Sequence, residues 1–158
     1  MAAMTHLVVF ALDEQRFALP VAAVERIVPA VYVTPLPNGP AMVLGVINVQ
    51  GRIVPVMNLR KRCRIAEREI EVEDEMIIAH TSRRTVALVV DSTEVVTCAE
   101  EDLTPVDQIL PGLDYANQVL KRPEVMVLIY SLESLLSTED ELVLNGAIRV
   151  GAVEPGAK

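Results

Sequence analysis

The chain has no tryptophan, two phenylalanines and three tyrosines, so aromatics are 3% of its 158 residues. Aromatic rings are too few to make up most of a core. With 51% apolar residues the interior must come from Val, Ile, Leu and Ala, which favours β-sheet, where branched side chains pack on a pleated surface. Burial of each such side chain stabilises by roughly 1.5–3 kcal/mol before entropy is subtracted. Only Cys63 and Cys98 are present. They are too few for a disulfide framework in a chain this long, and neither has a second Cys or a His at metal-ligand spacing. Reduced thiols, no metal and no cofactor are expected. His6 and His80 stand alone, without the Ser and Asp company of a triad, and His80 reads as a hydrogen-bonded strand residue. Phosphate-cradling glycine loops and HExxH are missing as well.

Positive charge is also scarce, with 14 basic against 22 acidic residues and a formal charge of −8. The one basic run is Arg60-Lys61-Arg62-Cys63-Arg64, read as the solvated face of a short helix. Nucleic acid is disfavoured as a partner. No apolar run approaches the ~20 residues of a membrane span, and the start has neither a charged n-region nor a cleavable apolar segment. A cytoplasmic protein without membrane insertion is expected.

What is present is a series of short β-rich runs. The most informative is Gly45–Leu59, where two apolar runs flank a Gln50-Gly51 turn and predict a hairpin. Both side-chain parities are largely apolar, so both faces should be covered. Pro55 cannot donate to a ladder, which predicts either an edge strand or a bulge. The order of elements then repeats. A hairpin (7–12 and 16–20), a strand (24 to about 33), the loop Thr34–Pro40, the Gln50-Gly51 hairpin and a helical run (59–65) make the first half. The second half has a hairpin (76–81 and 85–90), a strand near 94–98, the loop Thr104–Gly112, a hairpin (about 118–121 and 125–130) and a helix (132–136). Thr34-Pro35 and Thr104-Pro105 lie 70 residues apart (104 − 34). Each half supplies about five short strands, enough to close a small barrel and remove its edges. The acidic segment Glu67–Glu75 reads as the connection between barrels, and residues 145–158 as a loose tail.

Val89-Val90-Asp91-Ser92-Thr93 raises a hydrolase alternative, because aspartic proteases place paired carboxylates on an apolar-apolar-Asp-Ser/Thr-Gly loop. Thr93 stands where glycine is needed and there is no second copy, so only a homodimer could form the dyad. An Asp that ends a strand and caps a turn explains Asp91 more simply. A barrel that carries a ligand would need a dry internal pocket. The remaining class is a protein-binding module.

The motif G-V-I-N-x-x-G-x-I-V-P-V-x-x-L is similar to the signature hairpin of the CheW family, the adaptors of bacterial chemosensory arrays. The likeness runs from about Leu7 to Leu136, through Phe10-Ala11-Leu12, Phe17-Ala18-Leu19-Pro20, Val24, Val86–Asp91 and Val127–Leu136. It implies an all-β fold with short helices, two SH3-like five-stranded barrels side by side around a common core. The expected domain is 5–144, with one barrel over about 7–66 and the other over about 75–136. It also implies a non-enzymatic adaptor that couples chemoreceptors to the CheA histidine kinase. The alternative is an interaction module of another signalling cluster. Carried over position by position, receptor contacts would fall on Val24, Arg26, Ile27, Val28, Gln50 and Gly51, and kinase contacts on Leu44, Gly45 and Ile53. Gly45→Asp would then weaken kinase binding with the fold intact. The family typically has Glu at the position of Arg26, Arg at that of Gln50 and Asp at that of Asn58. The first two departures predict loss of an ion pair beside the receptor surface.

Overall fold

The computed structural model describes residues 3–37, 39, 41–105, 116–123 and 125–135. The expected tail 145–158, the domain end near 144 and most of the second Thr-Pro loop lie outside those residues. Strands β1 (Met4–Leu12) and β2 (Gln15–Pro20) form the opening hairpin, with Asp13 at φ 56° in its two-residue turn. A 3-10 turn over Val21–Ala23 leads into β3 (Val24–Pro29), which stops short of Val33. Strands β4 (Val43–Val49) and β5 (Arg52–Met57) make the Gln50-Gly51 hairpin, and one helical turn, α1 (Leu59–Arg62), follows. Then come β6 (Glu75–His80), β7 (Thr85–Val90), β8 (Ser92–Ala99), β9 (Leu103–Pro105), β10 (Ala116–Lys121), β11 (Met126–Tyr130) and α2 (Leu132–Leu135). Residues 66–74 contain no strand, in keeping with a connection.

The strands form two sheets, ordered β3-β6-β7-β5-β4 and β8-β1-β2-β11-β10-β9. The sixth strand of the second sheet is β9, three residues that sequence pattern alone assigns to a loop. The order also corrects the expected division at 7–66 and 75–136. The two halves exchange their opening hairpins: β1 and β2 sit between β8 and β11, and β6 and β7 sit between β3 and β5. The exchange is reciprocal. Each opening hairpin pairs antiparallel on one side (β1 with β8, β6 with β3) and parallel on the other (β2 with β11, β7 with β5). Opening hairpins apolar on both parities need cover on both faces, and a central place in the other half's sheet supplies it. The layout repeat survives at residue level. Thr34 bridges to Val46 of β4, and Thr104 pairs with Val119 of β10.

Pro55 lies on an interior strand, so the edge alternative fails. Opposite it, Val46 donates its N–H to the Thr34 carbonyl and its own carbonyl accepts the Thr34 N–H, at 2.9 Å each, so both groups point away from β5. Pro55 thus occupies a non-hydrogen-bonded position toward β4. Toward β7, the parallel ladder begins only at Val56. The bulge falls in β4 instead, between Val43 and Gly45.

Packing follows the exchange. One apolar cluster lies between the sheets and takes Val8, Phe10, Phe17 and Leu19 from one, Ile77, Val86 and Leu88 from the other, and Tyr130. Phe10, Phe17 and Tyr130 stack in series at 5.7 and 5.5 Å, so most of the few aromatics meet in one place. Two further clusters fill the individual sheets, one around Ala18 and Ile129, the other around Val54, Val56, Met76 and Ile78. The Gln50-Gly51 hairpin is covered on both faces only at its base: Asn48 is exposed at the tip and Ile53 is 62% exposed.

Candidate protein-docking surface

Register determines which residues share an end of the five-stranded sheet. Strands β3, β5 and β7 begin there, and β4 and β6 finish there. That end carries Val24, Glu25 and Arg26, the Gln50-Gly51 turn, Arg52, His80 and the Thr81–Arg84 turn. Gln50 (φ 50°) and Gly51 (φ 88°) form the left-handed pair that a two-residue hairpin turn requires. The Asn48 side-chain oxygen accepts the Gly51 N–H at 2.7 Å, and open space surrounds the glycine. The turn is exposed, and its Asn48 hydrogen bond closes it.

The receptor positions expected from sequence are only partly gathered. Val24, Arg26, Gln50 and Gly51 share this end, while Ile27 and Val28 run up β3 away from it. Val24 and Ile27 are half-buried against the central cluster, and Val28 against the cluster of its own sheet. The kinase positions do not form one patch. Leu44 is half-buried, Gly45 is buried beneath Val33 and Thr34, and Ile53 stands exposed near the turn. A Cβ on Gly45 would meet the Thr34 carbonyl oxygen at 2.2 Å. Close backbone approach, together with the adjacent bulge, therefore accounts for this glycine.

A different ion pair lies beside the positions of Arg26 and Gln50. Arg52 pairs with Glu25 and approaches the Thr85 hydroxyl at 3.5 Å, joining the hairpin to the start of β3. Its partners sit 27 and 33 positions away, beyond any local sequence signal.

The other charged assembly lies at the seam. Arg60 is not on a solvated face: it is 9% exposed and donates to Asp13 at 2.9 Å, Asp91 at 2.8 Å and the Ala66 carbonyl at 2.8 Å. Arg68 forms a two-pronged pair with Asp74, both contacts 2.8 Å, and reaches Asp91 at 2.7 Å. Asp91, where the chain passes from β7 in one sheet to β8 in the other, also accepts the Asp13 N–H at 2.7 Å. Both its oxygens are thereby committed to holding the crossover, the turn-capping role, and a proton-sharing dyad would have to break them free. Hydrogen bonds from Arg68 hold the Asp74 carboxyl below its usual range, helped by the Glu71 N–H. Arg60 does the same for Asp13. Asn58 has a local reason to differ from Asp. Its oxygen caps α1 by accepting the Lys61 N–H, and its amide donates to Glu67 at 2.6 Å, a contact that two carboxylates could not make. Among the described residues no group of three or more His, Cys, Asp or Glu could hold a metal ion, and no helix is long and apolar enough to cross a membrane.

Two SH3-like barrels that exchange their opening hairpins, with an exposed hairpin turn at one end, define the class of fold. Residues 6–140 match the family model of the CheW-like domain, and the chain belongs to the CheW family. It is 30% identical over 138 residues to a protein of Rhizobium meliloti named chemotaxis protein CheW, covering 85% of this chain and 89% of that one. A Treponema pallidum protein of the same name is 26% identical, with 85% and 84% covered. The fold also matches the crystal structure of a scaffolding protein, TtCheW, from Thermoanaerobacter tengcongensis. That match has a TM-score of 0.76 and 27% identity, over 89% of this chain and 96% of the other.

Proposed function

We propose that the protein is a non-enzymatic cytoplasmic adaptor that couples chemoreceptors to a CheA-type histidine kinase. Membership of the CheW family, together with a solved relative described as a scaffolding protein, carries this reading. The geometry supports it in one respect above others: the hairpin that bears the family motif is anchored at its base and free at its tip. Val24, Arg26, Gln50 and Gly51, with Ile27 and Val28 along the same strand, are the receptor side. Ile53 and Leu44 are the kinase side, and Gly45 acts there through the path of β4. An exposed apolar Ile53 beside the hairpin turn suits an anchor that fills a partner's pocket.

The test is co-sedimentation of the purified protein with receptor-bearing membranes and kinase, with kinase autophosphorylation as the output. Retention of all three and receptor-dependent kinase activity are expected. Ile53→Asp should release the kinase and leave receptor sedimentation intact. A protein that sediments with neither partner, at concentrations where a CheW relative does, would overturn the proposal.

A further inference from the structure

The end of the five-stranded sheet away from the Gln50-Gly51 turn, where β3 finishes and β6 begins, carries apolar side chains that the core does not use. Tyr32 is 82% exposed, Val72 90% and Val31 47%. Backbone pairing brings them together. The Ala30 N–H donates to the Asp74 carbonyl at 3.0 Å, which carries the β3–β6 ladder one step past Pro29 and Glu75. Val31 and Tyr32 therefore run alongside the turn of residues 71–74, which the Asp74 N–H closes onto the Glu71 carbonyl at 3.0 Å. Packing does not require them there. Ala30, Val33 and Ile70 are the residues of these two segments that turn into the cluster of their own sheet. Phe10, Phe17 and Tyr130, the other described aromatics, stack inside. The charges beside the patch have one sign. Residues 30–34 carry none, and residues 69–73 carry Glu69, Glu71 and Glu73, all exposed. The next cation along the chain, Arg68, is committed to Asp74 and Asp91 and comes no closer to the Glu71 carboxylate than 3.9 Å.

We infer that this end receives an arginine-bearing apolar segment of a further protein partner. Its apolar residue would seat on Val31 and Val72, and its guanidinium between the Tyr32 ring and the glutamates. Three large apolar side chains side by side mark an interaction surface, whereas singly scattered ones would not. Charge complementarity gives the sign of what covers them. The ring narrows the residue: a guanidinium lies flat on a tyrosine face while it donates to carboxylates, which an ammonium does less well. An anionic membrane or a nucleic acid is repelled by three carboxylates on a body of net charge −8. None of these residues is among the receptor or kinase positions, so the inference goes beyond the adaptor reading and adds a contact face to it.

The probes are three synthetic peptides of equal length, titrated by fluorescence anisotropy: Arg alternating with Leu, Arg alternating with Ser, and Glu alternating with Leu. The Arg–Leu peptide should bind tightest, the Arg–Ser peptide weakly and the Glu–Leu peptide not at all. Tyr32→Ser and Val72→Ser leave the charge untouched and should each weaken the Arg–Leu peptide about five- to tenfold. Glu69→Gln with Glu73→Gln should weaken it about threefold. Glu100→Gln with Glu101→Gln, an equal change of charge on the 3-10 turn before β9, should leave it unchanged. Equal binding of the Arg–Leu and Arg–Ser peptides, or indifference to both serine substitutions, would overturn the inference. So would a shift from dimer to monomer on Tyr32→Ser in analytical ultracentrifugation, since the occupant would then be a second copy. Co-sedimentation with receptor and kinase should survive Tyr32→Ser. Loss of the kinase there would give the patch to the kinase and overturn the inference, whereas a wild-type protein that sediments with neither partner would remove the adaptor reading alone.

Discussion

Replacing Gly45 by alanine isolates the physics of the signature hairpin. The new Cβ would sit 2.2 Å from the Thr34 carbonyl oxygen and 2.8 Å from the Val33 side chain, inside the 3.0 Å that real Cβ atoms respect. The obstruction is backbone, which no rotamer change can relieve. The Thr34–Val46 bridge must open, giving up two hydrogen bonds of 2.9 Å, each contributing about 0.5–1.5 kcal/mol. Holding a non-glycine residue at the φ of +153° found here adds about 1–2 kcal/mol. The sum, roughly 2–5 kcal/mol, is a large share of the ~5–15 kcal/mol that keeps a domain folded. For a chain of this size it lowers Tm by roughly 4–20 °C. Thermal and urea unfolding followed by circular dichroism would measure it, with a lower urea midpoint at unchanged slope. A Gly45→Ala protein melting within about 2 °C of wild type would refute the close-approach account. Gly45→Asp is accordingly a folding lesion, contrary to what the sequence suggests, and Ile53→Asp is the cleaner probe of that face.

Arg60→Ala should cost about 1–3 kcal/mol in urea unfolding, since it removes the buried cation between Asp13 and Asp91 and leaves Asp91 with Arg68, whereas Lys61→Ala on the exposed side of α1 should change stability by less than about 0.5 kcal/mol. Equal effects of the two would return the whole basic run to the solvent. Glu25→Gln should lower stability by no more than about 1 kcal/mol, because its pair with Arg52 is half exposed; a larger loss would make that pair structural. Asp74 titrates below its ordinary value of 3.8, so its contribution is fully present above that value and fades as pH falls through the depressed folded value. Asp74→Asn should therefore flatten the acid limb of a plot of urea midpoint against pH, and an unchanged limb would count against the Arg68–Asp74 pair. Burial raises the Cys63 thiol, so iodoacetamide at pH 8 should alkylate it far more slowly in the native protein than in urea; equal rates would contradict the packing around Tyr130.

Local pattern was enough to find most strands. The tight turns after Leu12 and at Gln50-Gly51, the apolar runs that flank them and the helical run from Leu59 are written within a few residues of where they act. Partner choice was not legible. Nothing near Phe17 announces Leu128, nor near Met57 announces Leu88, because parallel neighbours are selected by the packing of the whole and not by a turn between them. The same distance hid the seam. Arg60 sits in a run of cations that reads as wet, and only the arrival of Asp13 and Asp91 from elsewhere makes its burial affordable. Among the docking residues the turn was visible, while the company it keeps depended on which strands start together. Leu103–Pro105 was missed because three residues with a proline carry no periodicity.

Because each opening hairpin is housed in the other half's sheet, the β1–β2 hairpin has no finished home until β8 and β11 have been made. Neither half can be excised as a working unit, since a cut at the acidic connection would leave both fragments with missing central strands. Folding should then be slow and single-step, governed by distant pairings. A push on one barrel must also be felt through strands shared with the other.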